Sequence, residues 1–273
     1  MLLRDDKEHL LVLMTGFRPD RDGFAFRNSW RFDDHERRVL RDLVHKASRS
    51  ALRVAAPVGG TALDIAGVDE AVAKWASGAI PDSYGLCGGM AFAALDFFKS
   101  DAQIPRGDGP DDIPNRDTPE GAALRSYLWT RLIDSLEPNL ATFLGWMAKL
   151  HLVPDVLFLD GGADALRDDS RKQWATLKRH LDKGEPWPIG LIGATRDPFN
   201  NHQVLACGYA MGSSRATIYV YDMNCPGRTN TIRINLEGDE LAASGSESCA
   251  GKRGVLRGFF CERYSHKTPD LEV

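Results

Sequence analysis

The spacing of apolar residues changes at Trp187, and that break limits the folds open to this chain. Ahead of it, apolar residues recur at helical intervals. DDHERRVLRDLVHKASRSALRV places Val39, Leu40, Leu43 and Val44 on one face and arginines on the other, and AALRSYLWTRLIDSL, NLATFLGWMAKL and DSRKQWATLKRHLDKG continue in that style until Gly184 and Pro186 stop it. Beyond Trp187 come PIGLIGA, NHQVLACGYA, ATIYVYD, NTIRINL and GVLRGFFCERY, short blocks bounded by Gly, Asn, Asp and Pro that read as strands. At the other end, a strand near residues 10–15, a turn at RPDRDG and a second strand GFAFRNSW are expected. The pattern predicts one α+β domain over residues 1–273. It has a helix-rich lobe over about 36–186 and an antiparallel sheet lobe over about 187–264, which strands within 9–30 join.

With 43% hydrophobic and 26% charged residues, the chain can bury a sizeable core. A net charge of −4 offers no basic field, so nucleic acid is not expected as a partner. The opening MLLRDDKEHLLVLMTGF lacks a signal-peptide core, and no segment is expected to span a membrane. Five cysteines at irregular spacing, with no CxxC pair, indicate neither a disulfide framework nor a zinc knuckle, and point to a reducing, cytoplasmic setting. His9, His35, His45, His151, His180 and His266 show no HxxxH or HExxH spacing, and no phosphate- or dinucleotide-binding glycine pattern occurs. Neither a metal nor a cofactor is expected. The stretch PRGDGPDDIPNRDTPEG, near residues 105–118, reads as an exposed, solvated acidic loop, with a lid as an open alternative.

One cysteine stands in a special context. In SYGLCGGMAFAALDFF, Cys87 is followed by two glycines that permit close backbone approach, then by a run that is apolar nearly all round, as in a buried helix. A thiol at the N-terminus of such a helix lies at the positive end of its dipole, which favours thiolate over thiol. A nucleophile also needs a base, and the base needs a group to hold its ring. NHQVLACGYAMGSSRATIYVYDMNCPG reads as a hairpin supplying both. Pairing Tyr209 with Arg215 sets His202 opposite Asp222, with Cβ atoms about 4.5–5.5 Å apart. A slip of two residues would bring up Asn224 instead, the reserve orienter. Cys207, Cys225 and Cys261 read as packing residues.

Taken together, these blocks resemble the papain-like cysteine peptidase superfamily, in which a Cys at the start of a central helix, a His and an Asn or Asp follow in that order. HQVLACGY and IYVYDMN are most similar to the branch that includes the double-glycine, bacteriocin-processing peptidases. GFAFRN, YGLCGGMAFAALDFF, LDKGEPWPIGLI, NHQVLACGYA and IYVYDMNCPG together look like a bacterial subgroup of that architecture. The resemblance implies a papain-like fold, with the Cys87 helix packed on an antiparallel sheet. It implies a thiol hydrolase acting on a peptide, amide or isopeptide through Cys87, His202 and Asp222. Papain-like peptidases usually carry a glutamine about six residues ahead of the cysteine as an oxyanion donor. Pro81 stands there in this chain, which leaves Ser83, Tyr84 or a backbone N–H as candidates. That departure leaves open a catalytically silent papain-like binding module. A transglutaminase-like acyltransferase shares the Cys, His, Asp order and is a further alternative.

Overall fold

The computed structural model describes residues 11–55, 74, 78, 85–151, 161–193, 201–236, 243–247 and 253–271. Within these the elements run β1 (Leu11–Met14), α1 (Pro19–Asp22), α2 (Asp34–Ala55), α3 (Cys87–Lys99), α4 (Pro119–His151), α5 (Gly161–Asp182), β2 (Trp187–Gly193), β3 (His202–Met211), β4 (Arg215–Tyr221), β5 (Thr229–Asn235), β6 (Ala243–Glu247) and β7 (Arg253–Cys261). Helices come first and an antiparallel sheet second, as the change of period implies. Among the described residues, no helix is long and apolar enough to cross a membrane.

The strands form one sheet in the order β1-β3-β2-β7-β6-β5-β4, and a further pairing between β3 and β4 brings it back on itself. Strands β2 to β7 thereby make a ring of six, every pair antiparallel. One side of the sheet is lined by Ile189, Val204, Ala206, Ile218, Val220 and Ile232, against which α5 sets Trp174, Leu177 and Leu181. Gly184, at φ 76°, ends α5 in the left-handed conformation that a glycine adopts without Cβ strain.

The other side of β3 positions α3. Leu205 and Cys207 of β3 and Tyr221 of β4 share a core with Met90, Ala91, Ala94 and Leu95 of α3 and with Leu124, Leu128 and Leu132 of α4. Every residue from Cys87 to Phe97 is buried, so the all-round apolar character of the segment is satisfied by α4 on one flank and the sheet on the other. The two glycines make this possible. A Cβ on Gly89 would stand 2.1 Å from the Leu128 carbonyl oxygen, and one on Gly88 would stand 2.2 Å from both Gln203 Oε1 and Ser135 Oγ. Backbone cannot yield cheaply, so Gly89→Ala is expected to lower stability by about 1–3 kcal/mol despite its better helix propensity. Urea denaturation measures this, and an unchanged midpoint would contradict the tight α3–α4 crossing.

Several expectations need correction. GFAFRNSW is not a strand; residues 23–30 run without regular pairing, and among the described residues only β1 joins the sheet from the N-terminal side, through β3. The alternating aromatics there are nonetheless in the core: Phe24, Phe26 and Trp30 are buried, with tilted or edge contacts between neighbouring rings. AALRSYLWTRLIDSL and NLATFLGWMAKL form a single helix, α4, that carries Pro138 inside it. A proline there removes one helical N–H, and the Asn139 side-chain amide donates to the Ser135 carbonyl at 2.8 Å in the disturbed turn. The acidic loop is tied down: Ala25 N–H donates to the Arg106 carbonyl and Arg27 N–H to the Pro110 carbonyl, both at 2.8 Å.

The β3–β4 register also differs. Leu205 faces Tyr221 and Ala206 faces Val220, then a bulge at Cys207 shifts the ladder so that Tyr209 faces Ile218 rather than Arg215. The hairpin turn is correspondingly tighter, with Gly212 N–H on the Arg215 carbonyl at 2.9 Å. Thr15 takes up the carbonyl of the bulged Cys207 through both its N–H and its hydroxyl. Cys225 is no packing thiol but is disulfide-bonded, whereas Cys87, Cys207 and Cys261 are free. Disulfides persist in oxidising surroundings, so cysteine usage gives no support to a reducing setting.

Candidate active site

Cys87 is the first residue of α3, directly after Leu86, and is 3% exposed. Asn28 fixes this start: its Oδ1 accepts the Leu86 N–H, and its amide lies where a Cβ on Gly85 would be. Only glycine at position 85 allows that approach. The first-turn N–H groups of a helix have no intrahelical acceptor, so the backbone at Cys87 presents donors beside the sulfur.

His202 opens β3 and Asp222 follows the end of β4. His202 Nε2 lies 2.8 Å from Asp222 Oδ1, with the carboxylate 4% exposed. The ladder seen at Leu205 and Ala206, extended, sets Asn224 level with His202. The chain turns before reaching it. Asp222 Oδ1 accepts the Asn224 N–H at 2.9 Å, and Cys225 N–H bonds the Asp222 carbonyl, also at 2.9 Å. The turn leaves Asp222 with the short contact, while Asn224 Nδ2 approaches His202 Nε2 at 3.3 Å. The preferred orienter and the reserve therefore meet the same ring nitrogen.

Burial disfavours a charge on this imidazole, but the Asp222 carboxylate outweighs it by charge and by hydrogen bond, and Cys87 adds to the effect, so that the His202 pKa is pushed up to about 10. Cys87 is thus near enough to the ring to act on its charge. With Nε2 held by Asp222, Nδ1 is the nitrogen left for the thiol. A histidine whose folded pKa is raised contributes stability that is complete below its ordinary 6.5 and is lost as pH climbs through about 10. Asp222→Asn removes the charge and is expected to lower the His202 midpoint by more than about one unit. Asn224→Ala is expected to move it much less. An imidazole NMR titration of both variants reads this ranking, and the reverse order would make Asn224 the principal orienter.

Two residues that the sequence reading passed over complete the site. Gln203 Oε1 lies 3.7 Å from the Cys87 sulfur, and its Nε2 donates to Glu262 Oε1 at 2.6 Å and to Ser135 Oγ at 3.3 Å. Glu262, just beyond β7, is 2% exposed, and its Oε2 has no hydrogen-bond partner. Burial pushes its pKa up to about 8 against the opposing influence of Gln203 and His202, so the carboxyl is largely neutral at pH 7. The signal for Gln203 was its place beside His202 on the α3-facing side of β3. Ser83 and Tyr84, the suggested oxyanion donors, lie outside the described residues, as does Pro81. Among the described residues, no cluster of three or more His, Cys, Asp or Glu side chains could hold a metal ion.

The arrangement can hold a proton on His202 next to a buried sulfur and place backbone donors at the same point. No family model matches this chain, and searches of curated proteins and of solved structures likewise found no match, so the site stands on its own geometry.

Proposed function

We propose that this protein is a thiol hydrolase of papain-like type that cleaves or transfers an acyl group through Cys87, His202 and Asp222. The observation that carries the reading is the Asp222–His202 pair at 2.8 Å, set where Cys87 at the head of a buried helix acts on the charge of the ring. In this reading the proton of the pair resides on His202. The Cys87 sulfur attacks the substrate carbonyl carbon, and the carbonyl oxygen takes the charge beside the first-turn N–H groups of α3. As the tetrahedral species collapses, the bond to the leaving group breaks and His202 gives that group its proton. Water, deprotonated by His202, then releases the acid and restores the thiol. Asp222 keeps the ring oriented and its charge balanced throughout.

The experiment is acylation by p-nitrophenyl acetate followed by intact-mass and peptide analysis. An acetyl adduct on Cys87, absent in Cys87→Ala, is the expected result. A silent binding module predicts no adduct, and a transglutaminase-like acyltransferase predicts an adduct that a primary amine discharges much faster than water.

A further inference from the structure

Beside His202 a narrow apolar cleft runs between α2 and α4. Leu132, Leu136, Leu140 and Leu144 form one wall, each one helical turn from the last, and Leu40 and Val44 stand opposite. The twelve-residue span of helix gives the wall a length of about 18 Å. Leu40, Val44, Leu132, Leu140 and Leu144 are at most 7% exposed, so the cleft is tight along its length. Its polar residues include His202, Gln203 and Glu262, the last with an unpartnered, buried carboxyl oxygen. A cleft of this kind has a reacting end and an apolar body. Its leucines form one continuous i, i+4 row inclined to the α4 axis, which suits an extended alkyl chain better than a compact side chain of a peptide.

Building on the thiol-hydrolase reading, we infer that the substrate carries a linear alkyl chain, which lies between α2 and α4 with its carbonyl at the His202 end of the cleft, next to Gln203 and the Cys87 sulfur that Gln203 touches. Glu262 Oε2 then finds its missing partner in the ester, thioester or amide group that joins chain to leaving group. The reaction balances without any co-reactant but water. A bond forms between the Cys87 sulfur and the acyl carbon, the bond from that carbon to O, S or N breaks, and the leaving atom takes the proton from His202. Hydrolysis of the thioester then yields the fatty acid and the free thiol.

The test is a series of p-nitrophenyl esters, acetate, butyrate, octanoate and dodecanoate, read as kcat/KM and as the mass of the Cys87 adduct. Transfer of each methylene out of water is worth about fourfold, so the octanoate-to-acetate ratio should exceed about 10². Leu140→Trp and, independently, Val44→Phe fill the cleft and should each cut that ratio at least tenfold, with folding checked by circular dichroism. As a second arm, Cys87→Ala protein should bind decanoate saturably in calorimetry, and Leu140→Trp in that background should abolish binding. Acetate and octanoate acylating Cys87 equally well would overturn the alkyl-chain assignment while leaving the hydrolase intact. Absence of any Cys87 adduct, with decanoate still bound, would overturn the hydrolase reading and the substrate role together and leave only a lipid-binding cleft.

Discussion

Replacing His202 with alanine is expected to slow acylation of Cys87 by p-nitrophenyl acetate by about 10²–10⁴-fold at pH 7, the range that a positioned proton-transfer group contributes. Without the imidazolium the sulfur loses the positive charge beside it and the group that takes its proton; p-nitrophenolate leaves as the anion and needs no proton donor, so this substrate reads activation of the sulfur. The His202 side chain is 20% exposed and pairs with a buried carboxylate, so the alanine variant is expected to lose stability at pH 7, and circular dichroism checks that it is folded before its rate is read. Stopped-flow release of p-nitrophenolate measures the rate. A decrease of less than about threefold would mean that the thiol acts without the histidine.

The second large effect concerns stability. Folded Glu262 has its pKa raised from 4.5 to about 8 by burial, so the native state holds a proton that the unfolded chain has given up. The sign follows directly. The stability associated with this group is complete below pH 4.5 and is lost as pH rises towards about 8. At pH 7 the cost is on the order of 3 kcal/mol, from about 1.4 kcal/mol per pH unit above the unfolded value. Glu262→Gln keeps an oxygen for the Gln203 amide and carries no titratable proton. It should therefore match the parent near pH 4 and exceed it in stability by about 3 kcal/mol at pH 7. Urea unfolding at the two pH values tests this, and a difference that does not change with pH would show that Glu262 is ionised in the folded protein. Retention of so costly a group suits a role at the reacting end of the cleft.

Legibility in the sequence followed the physics of each element. The helix at Cys87 and the strands at His202 and Arg215 were readable because burial on every side, or alternation across a sheet, writes itself into the pattern. Val204, Ala206, Ile218 and Val220 do share one face, as the alternation implies. What alternation does not encode is a bulge. The extra residue at Cys207 and the tighter turn moved the ladder by two to three positions relative to the expected pairing. His202 and Asp222 met anyway, because the chain turns immediately after β4 and swings the carboxylate back to the ring. GFAFRNSW misled because aromatics at alternate positions describe burial as well as pairing, and here only burial applies. Strand β6, ASGSE, has no apolar alternation to detect. Gln203 and Glu262 were missed for a common reason: each acts through contacts between segments far apart in sequence, Gln203 with Cys87 of α3 and Glu262 with Gln203 of β3.

The central claim is that Cys87, alone among the free thiols of the described residues, is prepared as a nucleophile. Cys207 and Cys261 supply internal controls, since burial pushes both up to about 12 and leaves them protonated at neutral pH. Native protein treated briefly with iodoacetamide at pH 7, quenched in acid and mapped by peptide mass spectrometry, reads all of them in one sample. The account predicts that Cys87 is carboxamidomethylated at least about tenfold faster than Cys207 or Cys261. Equal labelling of the three, or a Cys87 that stays unmodified while either of the others reacts, would contradict it.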